Sequence, residues 1–85
     1  MDAEVDKAEI VNDGVDTVQF TILTDEPMSV IVRQGIGTIA ESGIYDLAPV
    51  DGMITINVNS DCLGTLYLSA TGDTKYTGTL EVRVV

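Results

Sequence analysis

The sequence predicts an all-β fold, a two-sheet sandwich of about seven short strands. Its 85 residues include eleven valines, eight isoleucines and ten threonines. These β-branched side chains favour the pleated, half-buried setting of a strand. Apolar and polar residues alternate in most segments, and turn signals recur about every 8–12 residues, as in sandwiches. No window repeats apolar residues at helical spacing, so the alternative architecture is a small barrel.

The chain begins with an acidic segment, which a short strand and a tight turn follow. Residues 1–7 are predicted to be a loose acidic arm, and residues 8–85 to form the single domain. Ile10 and Val11 predict a short first strand. The Asn-Asp-Gly sequence at 12–14 predicts a turn, because these residue types tolerate positive φ.

The next segments predict strands that are separated by turn chemistry. Alternation over residues 17–22 predicts a strand, which "TDEP" ends because Pro27 cannot donate to a ladder. "MSVIVR" predicts a further strand. Residues 34–42 predict a short irregular edge strand with turns. "GIYDL" predicts another short strand, followed by a turn at Asp51-Gly52.

The second half of the chain shows the most regular alternation. "MITINVN", "TLYLSATG" and "TLEVRVV" each place every second residue on an apolar face, which predicts strands with one buried side. The side chains predicted to line the core are Val18, Phe20, Ile22, Val30, Val32, Ile54, Ile56, Val58, Leu66, Leu68, Leu80, Val82 and Val84.

Charge and cysteine content narrow the possible partners and compartments. Fourteen acidic residues against four basic ones give a net charge of −10, which repels nucleic acid and anionic membranes. We therefore expect neither partner. No basic region precedes an apolar one at the start, and no run approaches a membrane span. The single cysteine excludes a disulfide within one chain and fits a reducing compartment.

The residue types that carry most enzyme chemistry are absent or isolated. The chain has no histidine, which excludes His-based triads and His metal ligation. Cys62 has no histidine or CxxC companion and is interpreted as a turn residue. We expect no enzyme, no catalytic residue, no cofactor and no metal.

Weaker binding signals remain. The carboxylate pairs are Asp13 with Asp16, Asp25 with Glu26, and Asp46 with Asp51; none follows a calcium-loop pattern, and aspartate is the usual turn residue. Without tryptophan, glycan binding would depend on an exposed tyrosine among Tyr45, Tyr67 and Tyr76, and is not expected.

Several motifs resemble a known domain family. Ile10, "NDGVD" and "TVQFTI" resemble the opening of bacterial group-1, invasin-type immunoglobulin-like domains. "VDGMITINVNS" and "GTLYLSATGD" resemble the matching strand–turn–strand portions, so the resemblance extends from about Ala8 to Val85. Residues 27–46 are fewer than in the usual stretch, and Leu63 stands where a proline often precedes the glycine. The resemblance implies an immunoglobulin-like sandwich that binds, spaces or decorates, and it transfers no catalytic residue.

Domains of this kind occur in tailed-phage virion proteins and in bacterial surface proteins. The resemblance therefore implies a non-catalytic virion structural protein, a decoration, cement or accessory module on a phage head or tail. We expect it to be made in the host cytoplasm without a signal peptide. The alternative is a module of a bacterial cell-surface protein or adhesin.

The expected partners are other virion proteins of the capsid or tail, with further copies of the chain as the alternative. A loose arm can order on a partner surface, and an edge strand can extend a partner's sheet. The "NDG", "VDG" and "GDTKY" loops are alternative docking tips. The residues predicted to bind the partner are Met1, Asp2, Ala3, Glu4, Val5, Asp6, Lys7 and Ile10.

Overall fold

The computed structural model describes residues 2–34 and 43–85, with side chains except those of residues 43–45. Within these ranges every regular element is a β-strand. The strands are β1 (Ala3–Val5), β2 (Glu9–Ile10), β3 (Val18–Leu23), β4 (Met28–Gln34), β5 (Gly43–Leu47), β6 (Met53–Val58), β7 (Gly64–Thr71) and β8 (Leu80–Val84). Apart from Gln34, which ends β4, the predicted irregular edge strand over 34–42 lies outside the described residues.

The strands form two sheets that pack face to face. The three-stranded sheet has the order β1-β3-β6, and the five-stranded sheet has the order β2-β8-β7-β4-β5. Neighbouring strands are antiparallel except β2, which runs parallel to β8. Two β-sheets that pack face to face form a β-sandwich. The predicted fold class, an all-β two-sheet sandwich, is confirmed.

The core lies between the sheets and is built from alternate residues of each strand. All but three of the predicted core side chains are buried; Ile56, Val58 and Leu80 are partly buried and pack against the others. Ile10, Met28 and Ala70 are also buried in this cluster, and the residues between the core positions face outward. The predicted registers are therefore correct.

Backbone hydrogen bonds define two opposite ends of the sandwich. At one end the N–H of Leu23 donates to the carbonyl of Asp2 (2.8 Å). At the other end the N–H of Val85 donates to the carbonyl of Ile10 (2.9 Å). Asp2 lies where β3 ends and β6 begins, whereas Val85 lies where β6 ends and β7 begins, since Gly64 is the register partner of Val84. Residues 2 and 85 are therefore at opposite ends of a body with extents of 33 × 24 × 18 Å.

Two predicted turns adopt the backbone that their sequences favour. Gly14 has φ of 72° in the Asn-Asp-Gly turn, and Asp51 and Gly52 have φ of 54° and 76°. Two consecutive positive φ values make a type I′ hairpin turn. This turn is closed by reciprocal hydrogen bonds between Val50 and Met53 at 2.8 and 3.1 Å.

The N-terminal segment differs from its prediction. Ala3–Val5 form β1 and pair with β3, so the prediction of a loose arm over residues 1–7 is wrong for these three. Ala3 and Val5 are two positions apart, so both face inward, where they pack against the core. The first predicted strand is also shifted, because Glu9–Ile10 pair with β8 while Val11 is exposed.

Candidate functional site

The candidate site is the outer edge of β1, which is the terminal strand of the three-stranded sheet. The carbonyl of Asp2 accepts from Leu23, and the N–H of Asp6 donates to the carbonyl of Gln19 (3.1 Å). These bonds direct the backbone groups of the even-numbered residues toward β3. Because backbone direction alternates along an antiparallel strand, the N–H and C=O groups of Ala3 and Val5 face away from β3. No strand in the described part of the chain pairs with them, so they form a short open edge that another strand can pair with.

A shallow groove of about 390 Å³ crosses the three-stranded sheet from β1 to β6. Its apolar lining includes Leu23 and Met53, which are register partners on β3 and β6. Their exposed fractions are 51% and 41%. Leu23 lies one strand and Met53 two strands in from the edge of β1. The sheet therefore offers backbone pairing at its edge and a separate apolar contact on its face.

Sequence reasoning missed this groove, although a signal was present. Val18, Phe20 and Ile22 define the inward face of β3, so Leu23 is an apolar residue in the outward phase. An apolar residue out of phase at a strand end is a candidate contact residue. Its proximity to Met53 depends on the pairing of β3 with β6, which the local pattern does not reveal.

Polar contacts fix the segment that leaves β1. The Asp6 carboxylate accepts the N–H of Gln19 at 2.7 Å. The Lys7 ammonium contacts Asp16 Oδ1 at 2.9 Å, and Asp16 Oδ2 accepts the N–H of Val11 at 2.8 Å. Asp16 therefore ties the link between β1 and β2 to the turn that precedes β3.

The same contacts shift three pKa values. The N–H of Val11, and then Lys7, hold the pKa of Asp16 below its ordinary 3.8. Backbone N–H groups of Asp16 and Val15 lower the pKa of Asp13, and the hydrogen bond from Lys7 to Asp16 raises the lysine pKa above 10.5. Since folding lowers both carboxyl pKa values, their contribution to stability is present above pH 3.8. It is lost as the pH falls through the folded pKa values.

We expect Asp16→Asn to reduce the loss of stability between about pH 4 and pH 2. The amide does not titrate, so the mutant has one linked proton fewer. Urea unfolding at a series of pH values measures the slope of the free energy of unfolding against pH. Asp73→Asn, at an exposed loop position, is the matched control for net charge. An unchanged acid slope in Asp16→Asn together with an altered slope in the control would contradict the linkage.

The structure places the predicted partner-binding residues in different environments. Met1 lies outside the described residues. Asp2, Glu4, Asp6 and Lys7 are exposed, and Ala3 and Val5 are half-buried. Ile10 is only 1% exposed, so its side chain belongs to the core because β2 pairs with β8. Ile10 can contribute to a contact only through its backbone.

The other sequence candidates have structural partners or lie apart. Asp13 accepts the N–H groups of Val15 and Asp16 at 2.9 and 2.8 Å, as a turn aspartate does. Glu26 accepts from the backbone and hydroxyl of Thr74 and so joins two loops. In residues 2–34 and 43–85, no three His, Cys, Asp or Glu side chains are grouped to hold a metal ion.

The cysteine and the tyrosines do not form a shared site in the described part of the chain. Cys62 is exposed in the turn between β6 and β7, where its Sγ lies 3.4 Å from a carboxylate oxygen of Asp61. Tyr67 is half-buried on the outer face of β7, and Tyr76 is exposed in the loop before β8. The side chain of Tyr45 is not among those that the structure describes.

The described residues form a small all-β sandwich in which the terminal strand β1 has one unpaired edge. No protein-family model, curated protein or solved structure matches the chain. The resemblance to invasin-type domains therefore stays a prediction. Over the described ranges, no helix has the length and apolar character that crossing a bilayer requires.

Proposed function

We propose that the chain is a non-catalytic virion structural protein, an immunoglobulin-like decoration, cement or accessory module that attaches to a phage head or tail. The observation that carries the proposal is the edge of β1, which is open among the described residues, on the same sheet as the exposed Leu23–Met53 pair. An attachment protein needs a surface that holds a partner, and this edge and groove supply one. The resemblance to domains of phage virion proteins supplies the kind of assembly.

Strand addition explains how so small a chain can bind without a cluster of reactive side chains. A partner strand beside β1 would pair with the backbone of Ala3 and Val5. Leu23 and Met53 lie one and two strands further into the sheet, so a second segment of the partner would cover them. Because β1 already pairs with β3, the edge is ordered before binding. The entropy cost of ordering it has therefore been met in folding, which favours affinity.

Charge supports a position on the outside of a particle. The net charge of −10 opposes contact with packaged nucleic acid and favours a basic or neutral protein surface. It also keeps free copies apart before they attach. Association with a basic partner is expected to be faster at low ionic strength, since screening weakens steering.

Mass spectrometry of purified particles tests the proposal. Particles encoded by the same genome as the chain are purified on a density gradient and their proteins quantified. We expect the chain to sediment with the particles in a fixed ratio to the major capsid or tail protein. A soluble host protein in the same lysate is the control for carry-over. Absence of the chain from particles, or a ratio no higher than that of the control, would contradict the virion role.

A module of a bacterial cell-surface protein is the second candidate. It is favoured by the position of residues 2 and 85 at opposite ends of the sandwich, which lets neighbouring domains follow one another along one axis. Surface labelling of intact cells separates the two candidates. Labelled chain on cells that make no particles would favour the surface protein.

A further inference from the structure

The second open edge of the three-stranded sheet is formed by β6, on the opposite side of β3 from β1. β5 does not cover it, because β5 pairs with β4 in the other sheet. Within residues 2–34 and 43–85, only Val50 pairs with β6 on this side, through the type I′ turn to Met53. Beyond that rung, the edge from Thr55 to Val58 has no neighbouring strand among the described residues.

Register shows which backbone groups this edge presents. Thr21 on β3 is the register partner of Glu4 on β1. Glu4 lies two positions from both Asp2 and Asp6, whose backbone groups bond to β3, so the backbone of Thr21 bonds toward β1. Phe20 and Ile22 therefore bond toward β6, where their partners are Ile56 and Ile54. By the same alternation, the N–H and C=O groups of Thr55 and Asn57 face away from β3. Met53, two positions before Thr55, bonds to Val50 in this same direction.

Burial also shows that the inward face of β6 is less covered than that of β3. Ile56 and Val58 point inward but are only partly buried, whereas their partners Phe20 and Val18 are 0% exposed. Two cavities adjoin the edge between the sheets. One of about 260 Å³ is lined by Ile56, Val58 and Val32, and one of about 270 Å³ by residues of β6 and of the link between β5 and β6. An added strand would place its inward side chains in these cavities.

We propose that the β6 edge accepts one extended strand from a different protein, neutral or basic, with apolar residues at alternate positions. The strand pairs with the backbone of Thr55 and Asn57, continues the rung that Val50 begins, and covers Ile56 and Val58. A second copy is the poorer occupant, because each chain carries −10 and like charge opposes association. The proposed site is separate from the β1 edge. The proposal therefore does not depend on which assembly contains the chain.

The test uses the full chain and a synthetic seven-residue peptide in which valine alternates with lysine and threonine. Amide exchange is followed residue by residue by NMR, without peptide and with peptide up to millimolar concentration. We expect the amides of Thr55 and Asn57 to exchange fast in the free chain and at least about tenfold more slowly when the peptide is bound. The amides of Ala3 and Val5 should be unaffected. A peptide of the same composition with a central proline is the control.

A pair of variants tests the backbone contact itself. Thr55→Pro removes an N–H that faces away from β3, a position where edge strands tolerate proline. We expect it to weaken peptide binding at least about tenfold, whereas Thr55→Val, which keeps the N–H, should bind as the parent does. If Thr55→Pro does not fold, the exchange experiment on the unmodified chain still decides.

Three results would overturn the proposal. The first is unchanged exchange at Thr55 and Asn57 at millimolar peptide. The second is protection of Ala3 and Val5 instead, which would place the strand on β1. The third is protection of Thr55 and Asn57 without peptide as the protein concentration rises, with a doubled mass in solution, since the occupant would then be a second copy.

Discussion

Replacing Phe20 by alanine is expected to lower the free energy of unfolding by about 3–5 kcal/mol. Phe20 is 0% exposed and is the largest fully buried side chain among those that the structure describes. It lies on β3, the central strand of the three-stranded sheet, opposite Val5 on β1 and Ile56 on β6. The sheet cannot collapse readily around the lost ring, because both neighbouring strands are fixed by backbone pairing. A loss of this size approaches the whole stability of many small domains.

Urea unfolding of the parent and the Phe20→Ala chain measures this difference. Gln19→Ala is the matched control, since Gln19 is the preceding residue of the same strand and is exposed. It should change stability by less than about 0.5 kcal/mol. A loss below about 1 kcal/mol for Phe20→Ala would show that the ring does not lie in a packed core.

Ser60→Ala is expected to cost about 1–3 kcal/mol, because it removes two hydrogen bonds that each contribute about 0.5–1.5 kcal/mol. Ser60 and Gln34 are each 4% exposed. The Ser60 hydroxyl donates to Gln34 Oε1 at 2.5 Å and accepts the N–H of Cys62 at 3.1 Å, while Gln34 Nε2 donates to the Cys62 carbonyl at 2.7 Å. The hydroxyl thus links the end of β4 to the turn between β6 and β7.

The same unfolding assay measures this effect against Ser69→Ala. Ser69 is half-buried on the outer face of β7, so its loss should cost less than about 0.5 kcal/mol. We expect Ser60→Ala to speed amide exchange at Cys62 while leaving Ile22 in the core unaffected. Equal stability of the two serine variants would contradict the role of the network.

Alternation made much of the fold predictable. Val18, Phe20 and Ile22 lie at period two with polar residues between them, and only one face of β3 can be buried, so the register follows. The Asp51-Gly52 turn was also predictable, because a type I′ turn needs two residues that accept positive φ. In both cases the information is local.

What the sequence did not reveal depends on distant pairing. Ala3–Val5 are too few for a pattern, and their strand exists because β3 offers an edge. Ile10 and Val11 are equivalent as an apolar pair, and the parallel contact with β8 buries Ile10 alone. The open edges of β1 and β6 follow from strand order. Sequence alternation is the same in edge and central strands, so neither edge could be located before the sheets were known.

Co-sedimentation with particles is the most direct test of attachment through β1. Particles that lack the chain, encoded by the same genome, are mixed with the purified parent, with Ala3→Pro or with Ala3→Val, and the bound fraction is measured over a range of protein concentrations. Ala3→Pro removes an outward N–H at an edge position that tolerates proline, whereas Ala3→Val keeps it. Urea unfolding confirms first that both variants fold.

We predict that the parent and Ala3→Val bind the particles alike. Ala3→Pro should need at least about tenfold more protein for the same occupancy, as the loss of one backbone hydrogen bond and a steric clash require. Binding of a folded Ala3→Pro chain with undiminished affinity would contradict attachment through the β1 edge, and failure of the parent to bind would contradict the virion role.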